Sequence, residues 1–170
     1  MRIFVKINIW QIVRSHLKTL RNHNTGKLGI DDYITFFILP FLGSSLLLFF
    51  SIKLNESAIS IIITTLSILV GLLFNVIVII FDIIKRDNTK KVKNEILHQL
   101  LTNISYGILI SILIIVLTLI TYFSNCYVNL ISTWFVYFLL GNFFMTILMI
   151  LKRMYLLFLN ELDEIENNQK

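Results

Sequence analysis

Cysteine, proline and charge are all scarce in this chain, and each shortage closes a possibility. Cys126 is the only cysteine among 170 residues, so no intrachain disulfide and no cysteine-based zinc site can form. It is then a loop filler or, alternatively, one half of an intersubunit disulfide. Pro40 is the only proline and falls inside an apolar run, where it predicts a kink. Charged residues make up 15% of the chain, against about a quarter in an ordinary soluble domain. Catalytic signatures are missing as well. There is no phosphate-binding glycine loop, no Gly-x-Ser-x-Gly elbow and no His-Glu-x-x-His pair. No carboxylate pair lies within the apolar runs, and His16, His23 and His98 fall in basic segments expected to face solvent. The expectation is a protein that is not an enzyme and carries no metal or cofactor.

What is present is apolar. Hydrophobic residues are 56% of the chain and the mean hydropathy is +0.81. Charge is absent over 20 residues from Tyr33 to Ile52, 25 from Ser57 to Phe81 and 53 from Gln99 to Leu151. A helix of about 20 apolar residues crosses a ~30 Å hydrocarbon core. The longest stretch therefore reads as two spans around the polar turn Ser124 to Asn129. Spans are expected near 33–52, 58–84, 100–123 and 130–151. Membrane strands would alternate with a period of two, whereas these runs are apolar on nearly all sides.

Basic residues are placed one-sidedly. Of 15 Lys and Arg, 14 precede the first span, fill the loop between the second and third, or follow the fourth; only Lys53 lies across from them. Such residues are retained on the cytoplasmic side, so both termini are expected inside. Apolar residues of Met1–Asn22 are interrupted by Lys6, Gln11, Arg14 and Lys18, and no small-residue cleavage site follows; no cleaved targeting signal is expected. The fold class is an all-α integral membrane protein with four transmembrane helices, preceded by a basic amphipathic helix. Its parts are a cytoplasmic segment 1–32, a four-span bundle 33–159 and an acidic tail 160–170.

Ile9 to Asn22 divides cleanly on a helical wheel. Ile9, Trp10, Ile12, Val13, His16, Leu17 and Leu20 form one half, and Gln11, Arg14, Ser15, Lys18, Thr19, Arg21 and Asn22 the other. This is the pattern of a helix lying in the membrane interface. Asn24 to Lys27 marks a turn, and Asp31 and Asp32 can cap the first span. Past the fourth span, Leu151, Tyr155, Phe158, Leu162 and Ile165 follow the 4-3-4-3 spacing of a coiled-coil seam.

The second span carries the most informative pattern. Ser57, Ser60, Thr64, Ser67, Gly71, Asn75 and Asp82 all fall within about 80° of its wheel. Polar groups in hydrocarbon face a partner helix or water. Two readings stand: close packing inside the protomer's own bundle, or a water path lined by copies of the stripe from several subunits. Asp82 can pair with Lys85 or Arg86, or form an anionic ring at a pore mouth. In the third span Asn103, Gly107, Ser111, Thr118, Thr121 and Tyr122 share a broader face that reads as helix contact. Trp134 and Tyr155 read as interfacial anchors. Arg14, Lys18, Arg21, Lys85, Arg86, Lys90, Lys91 and Lys93 either attract anionic lipid or hold an anionic ligand such as a nucleotide or short oligonucleotide.

The layout resembles small four-helix membrane effectors of bacterial anti-phage systems, the Rex-type exclusion channel and the Hailong- and Kiwa-type effectors. The shared features are a basic amphipathic start, a polar second span, a basic central loop and an acidic end. Ala58 is the only alanine while Ile, Asn and Lys abound, a bias that fits an AT-rich bacterial genome. The resemblance implies a homo-oligomeric channel of the bacterial inner membrane, taken here as a tetramer, gated by a cytoplasmic signal or partner enzyme. The rival expectation is a non-conducting membrane anchor that recruits a cytoplasmic partner.

Overall fold

The computed structural model describes residues 9–20, 33–52, 54–86, 91–123 and 126–168. Within these, the side chains of 83, 86, 91–94, 126–128 and 160–168 are not part of the description. The elements are α1 (Ile9–Thr19), α2 (Ile34–Phe49), α3 (Glu56–Arg86), α4 (Lys91–Phe123) and α5 (Cys126–Asn168). Three of them, over Glu56–Asp82, Glu95–Phe123 and Asn129–Leu159, are long and apolar enough to cross a membrane, whereas Ile34–Phe49 is shorter. At about 1.5 Å per residue α2 measures roughly 24 Å. The expected outer turn shrinks, because α5 already begins at Cys126.

Each helix is held by its own repeat. On α3 the buried residues Ile59, Leu66, Leu73 and Ile80 recur every seventh position. On α5 Val136, Phe143, Ile150 and Leu157 do the same. Both rows close on α4, whose Leu97, Leu100, Ile104, Ile110 and Ile114 complete the core. Gly107 lies where α3, α4 and α5 meet: a Cβ there would sit 3.4 Å from the Leu73 side chain and 3.9 Å from Thr146 and Ile150. Thr121 and Ser132 hydroxyls meet at 2.6 Å between α4 and α5, a contact worth about 0.6 kcal/mol in a membrane. Asn103, Ser111, Thr118 and Thr121 are all buried, so the third-span polar face is a helix contact, while Tyr122 is exposed.

The described helices form a row, not a closed bundle. Contacts run α3 to α4, α4 to α5 and α5 to α2, with α1 laid on α4; α3 touches no other helix among the described residues. The short connection from α2 to α3 does not bring them together. α2 ends in a C-cap turn in which Ser51 takes φ 53°. There Ser51 N–H donates to the Leu48 carbonyl and Ile52 N–H to the Leu47 carbonyl. Asn55 then restarts the chain, its Oδ1 capping the Ala58 N–H at 2.8 Å.

The helix expected to kink at Pro40 is irregular just before it. Ile34–Ile38 is a π-helical turn, closed by the Leu39 N–H on the Ile34 carbonyl. Proline has no N–H for the carbonyl four residues back, which is that of Phe36. The Asn142 amide donates to that carbonyl instead, at 2.8 Å. Gly141 makes room: a Cβ there would lie 3.0 Å from the Pro40 Cβ. Trp134, expected as an interfacial anchor, stacks on Phe138 of α5 and meets Phe41 of α2 edge-on. Asn142→Leu strands a buried carbonyl and is expected to cost about 1–3 kcal/mol, and Gly141→Ala to separate α2 from α5. Thermal unfolding in detergent checks both; unchanged midpoints would contradict this account of the α2–α5 junction.

Candidate functional site

The second-span stripe lies outside the protomer. Ser57, Ser60, Thr64, Ser67, Gly71, Asn75 and Asp82 are all exposed on α3, nearly opposite the Ile59–Ile80 row. Gly71 has open space where its Cβ would be. The reading in which these small residues pack inside the protomer's own bundle is thereby corrected: bulky Leu and Ile do that packing. A second exposed face of α3 is largely apolar, with Ile61 64% and Ile68 60% exposed. The helix therefore presents one face to α4, one suited to lipid and one that is polar.

Polar groups on the third face differ in how they are satisfied. Ser67 donates back to the Ile63 carbonyl at 2.8 Å. Ser60 and Thr64 line a cavity of about 400 Å³ with Glu56, Leu119 and Tyr122 at the start of α3. Asn75 finds no hydrogen-bond partner among the described residues. An unpaired amide in hydrocarbon costs about 4 kcal/mol or more, which a second copy or water would relieve. Asp82 and Lys85 are both exposed and form no ion pair among the described side chains; that of Arg86 is not described.

The basic residues are only partly in view. Arg14 and Lys18 are exposed on α1 and Lys85 on α3. Arg21 and Lys90 lie outside the described residues, as do Asp31, Asp32 and the turn 24–27, and the side chains of Lys91 and Lys93 are not described. Of the seam past the fourth span, Leu151, Tyr155 and Phe158 are exposed, 62%, 63% and 49%. Leu157 faces the core in their place, and Leu162 and Ile165 have no described side chains.

α1 holds a site that its helical wheel does not reveal. It packs on α4, and His16, expected to face solvent, is 1% exposed. Its ring stacks on Tyr106 at 3.8 Å and 5°, with Phe36 edge-on at 6.0 Å. His16 Nδ1 lies 2.9 Å from Oδ1 of Asn103. The Thr19 hydroxyl donates to the His16 carbonyl at 2.7 Å and lies 2.9 Å from the same Asn103 oxygen. Arg153 of α5 clamps both helices, donating to the carbonyls of Thr19 at 3.0 Å and Gln99 at 3.2 Å. Burial lowers the His16 pKa from 6.5 to about 4; the Asn103 hydrogen bond opposes this and the Arg153 charge adds to it. Asn103 Nδ2 is buried and unpaired. Turned over, the same amide donates to His16 Nδ1 and to the Thr19 hydroxyl, which suits a neutral imidazole. The signal in the sequence is a histidine at the centre of an apolar helix face.

Comparison with protein-family models, curated proteins and solved structures returned no match. Function therefore rests on the faces of α3 and the docking of α1. If the polar face of α3 meets a second copy, cysteines at Ser67 or Gly71, in a Cys126→Ser background, should link copies through a short bifunctional maleimide. Cysteines at Ile61 or Ile68 should not. Equal yields at all four positions would contradict that arrangement.

Proposed function

We propose that this chain is the protomer of a homo-oligomeric ion-conducting pore, with the polar face of α3 turned to the shared axis. The observation that carries this reading is the outward direction of the stripe from Ser57 to Asp82. α3 sits at the end of a row, packed on α4 alone, so a ring of protomers brings these faces together while Ile61 and Ile68 remain toward lipid. The polar side chains then meet water, and Asp82 from each copy forms an anionic ring that favours cations. A tetramer is the assembly we adopt.

In this reading the protomer crosses the bilayer four times with both termini cytoplasmic. α2 counts as the fourth crossing although it is short. It runs antiparallel to α5, with Phe36 against Asn142 and Ser45 against Trp134. Contact between Arg153 and Thr19 also sets the N-terminal helix beside the far end of the last span. Arg14, Lys18, Arg21 and the basic run from Lys85 to Lys93 receive an anionic cytoplasmic ligand, a nucleotide or short oligonucleotide. The setting is the inner membrane of a bacterium, where opening depolarises the cell in anti-phage defence. Leu151, Tyr155 and Phe158, exposed on a helix that continues to Asn168, favour a second reading in which a cytoplasmic partner docks there and nothing is conducted.

Thiol accessibility separates the two. Cysteines at Ser60, Thr64, Ser67, Gly71 and Asn75 should react with a small water-soluble reagent in reconstituted vesicles, and those at Ile61 or Ile68 should be protected. Asp82→Asn should lower cation preference with assembly unchanged. Uniform protection of all seven cysteine positions would remove the pore.

A further inference from the structure

α1 is joined to the rest of the protomer at one polar junction. Its apolar contacts are loose toward the start of the helix: Ile9 and Ile12 flank an open groove of about 640 Å³ with Phe74 and Ile77 of α3 and Ile108 and Ile112 of α4. Ile9 and Trp10 stay 47% and 70% exposed. Only His16 and Leu20 of residues 9–20 are buried. Docking therefore places an imidazole ring in an enclosed site, where burial and the Arg153 charge disfavour its protonated form.

Every helix around His16 contributes to that enclosure. α4 supplies the Tyr106 ring and the Asn103 amide, α2 supplies Phe36, and α5 supplies the Arg153 cation. On α1 itself Arg14 and Lys18 are exposed, and both are cations. Glu95 on α4 is exposed and accepts from Gln99 Nε2 at 3.3 Å. An imidazolium here would be desolvated beside a guanidinium, with the single Asn103 amide oxygen at 2.9 Å as its compensation.

We propose that α1 is an acid-released latch: protonation of His16 expels the ring from its place between Asn103, Tyr106, Phe36 and Arg153 and frees α1 from α4. Linkage gives the sign. The docked imidazole titrates near 4 and the free one near 6.5. Docking is at full strength above pH 6.5 and weakens about tenfold per pH unit from there down to about 4. Between pH 7.5 and 5.0 the ratio of released to docked α1 rises roughly 30-fold. Release removes one wall of the groove beside Phe74 and Ile77, which is how acidity reaches the helix carrying the polar stripe. The latch itself does not require that the stripe conduct.

Spin labels at Gln11 and Lys152, both exposed, report the distance between α1 and α5 in the full chain with Cys126→Ser. One narrow distance is expected at pH 7.5 and a second, broad population at pH 5.0. His16→Phe keeps the stack on Tyr106 and cannot titrate, so its distribution should be the same at both pH values. Should the phenylalanine variant fail to dock at pH 7.5, His16→Gln provides the same comparison with a neutral hydrogen-bonding group. The proposal is overturned if the parent distribution ignores pH, or if a docked non-titrating variant responds to acid as the parent does. Neither result bears on the pore, which the thiol reagents test separately.

Discussion

Hydrocarbon offers no hydrogen bonds, and the placement of every polar side chain on these helices follows from that. On α4 and α5 several polar groups are turned inward and meet a partner: Thr121 with Ser132, Asn142 with the carbonyl that Pro40 leaves open, Asn103 Oδ1 with His16. On α3 the same chemistry is turned outward, and Asn75 has no protein group to meet among the described residues. A lone protomer in lipid would carry that cost on α3. Assembly around a shared axis removes it, so the oligomer and the water path stand or fall together.

α4 is the hub through which the parts of the molecule communicate. It is the helix that α1, α3 and α5 all pack against. Gly107 meets Leu73 of α3, while Asn103, one turn away on the same helix, receives His16. The stripe-bearing helix and the latch-bearing helix thus lean on neighbouring turns of one rod. Between them lies the groove at Phe74 and Ile77, so α1 can leave without dismantling the α4–α5 core. A two-state element of this kind biases a gate only as far as its two positions differ in free energy. The charge on one buried imidazole supplies such a difference.

Much of the fold is legible in the sequence because its signals are local. Charge-free runs mark α2 to α5, and Gly107 with Ser111 marks a tight contact. The direction of the α3 stripe is not legible, because a polar face on a helix is compatible with burial or exposure until the neighbours are known. The residues that face those neighbours are Ile59, Leu66, Leu73 and Ile80, whose seven-residue repeat is hidden among many other Ile and Leu residues. The Pro40 turn needs Asn142, 102 positions away, and the His16 pocket needs partners from three helices. Contacts between distant residues of this sort leave no periodic trace in a single sequence.

The central claim is that the polar face of α3 surrounds a path for ions. Conductance of the purified protein in a planar bilayer tests it most directly. Discrete single-channel steps are expected, with cation preference reduced in Asp82→Asn and conductance lost when Ser67 and Gly71 are both replaced by leucine. A protein that inserts and assembles yet passes no current, at either pH 7.5 or pH 5.0 and with or without nucleotide, would contradict the account.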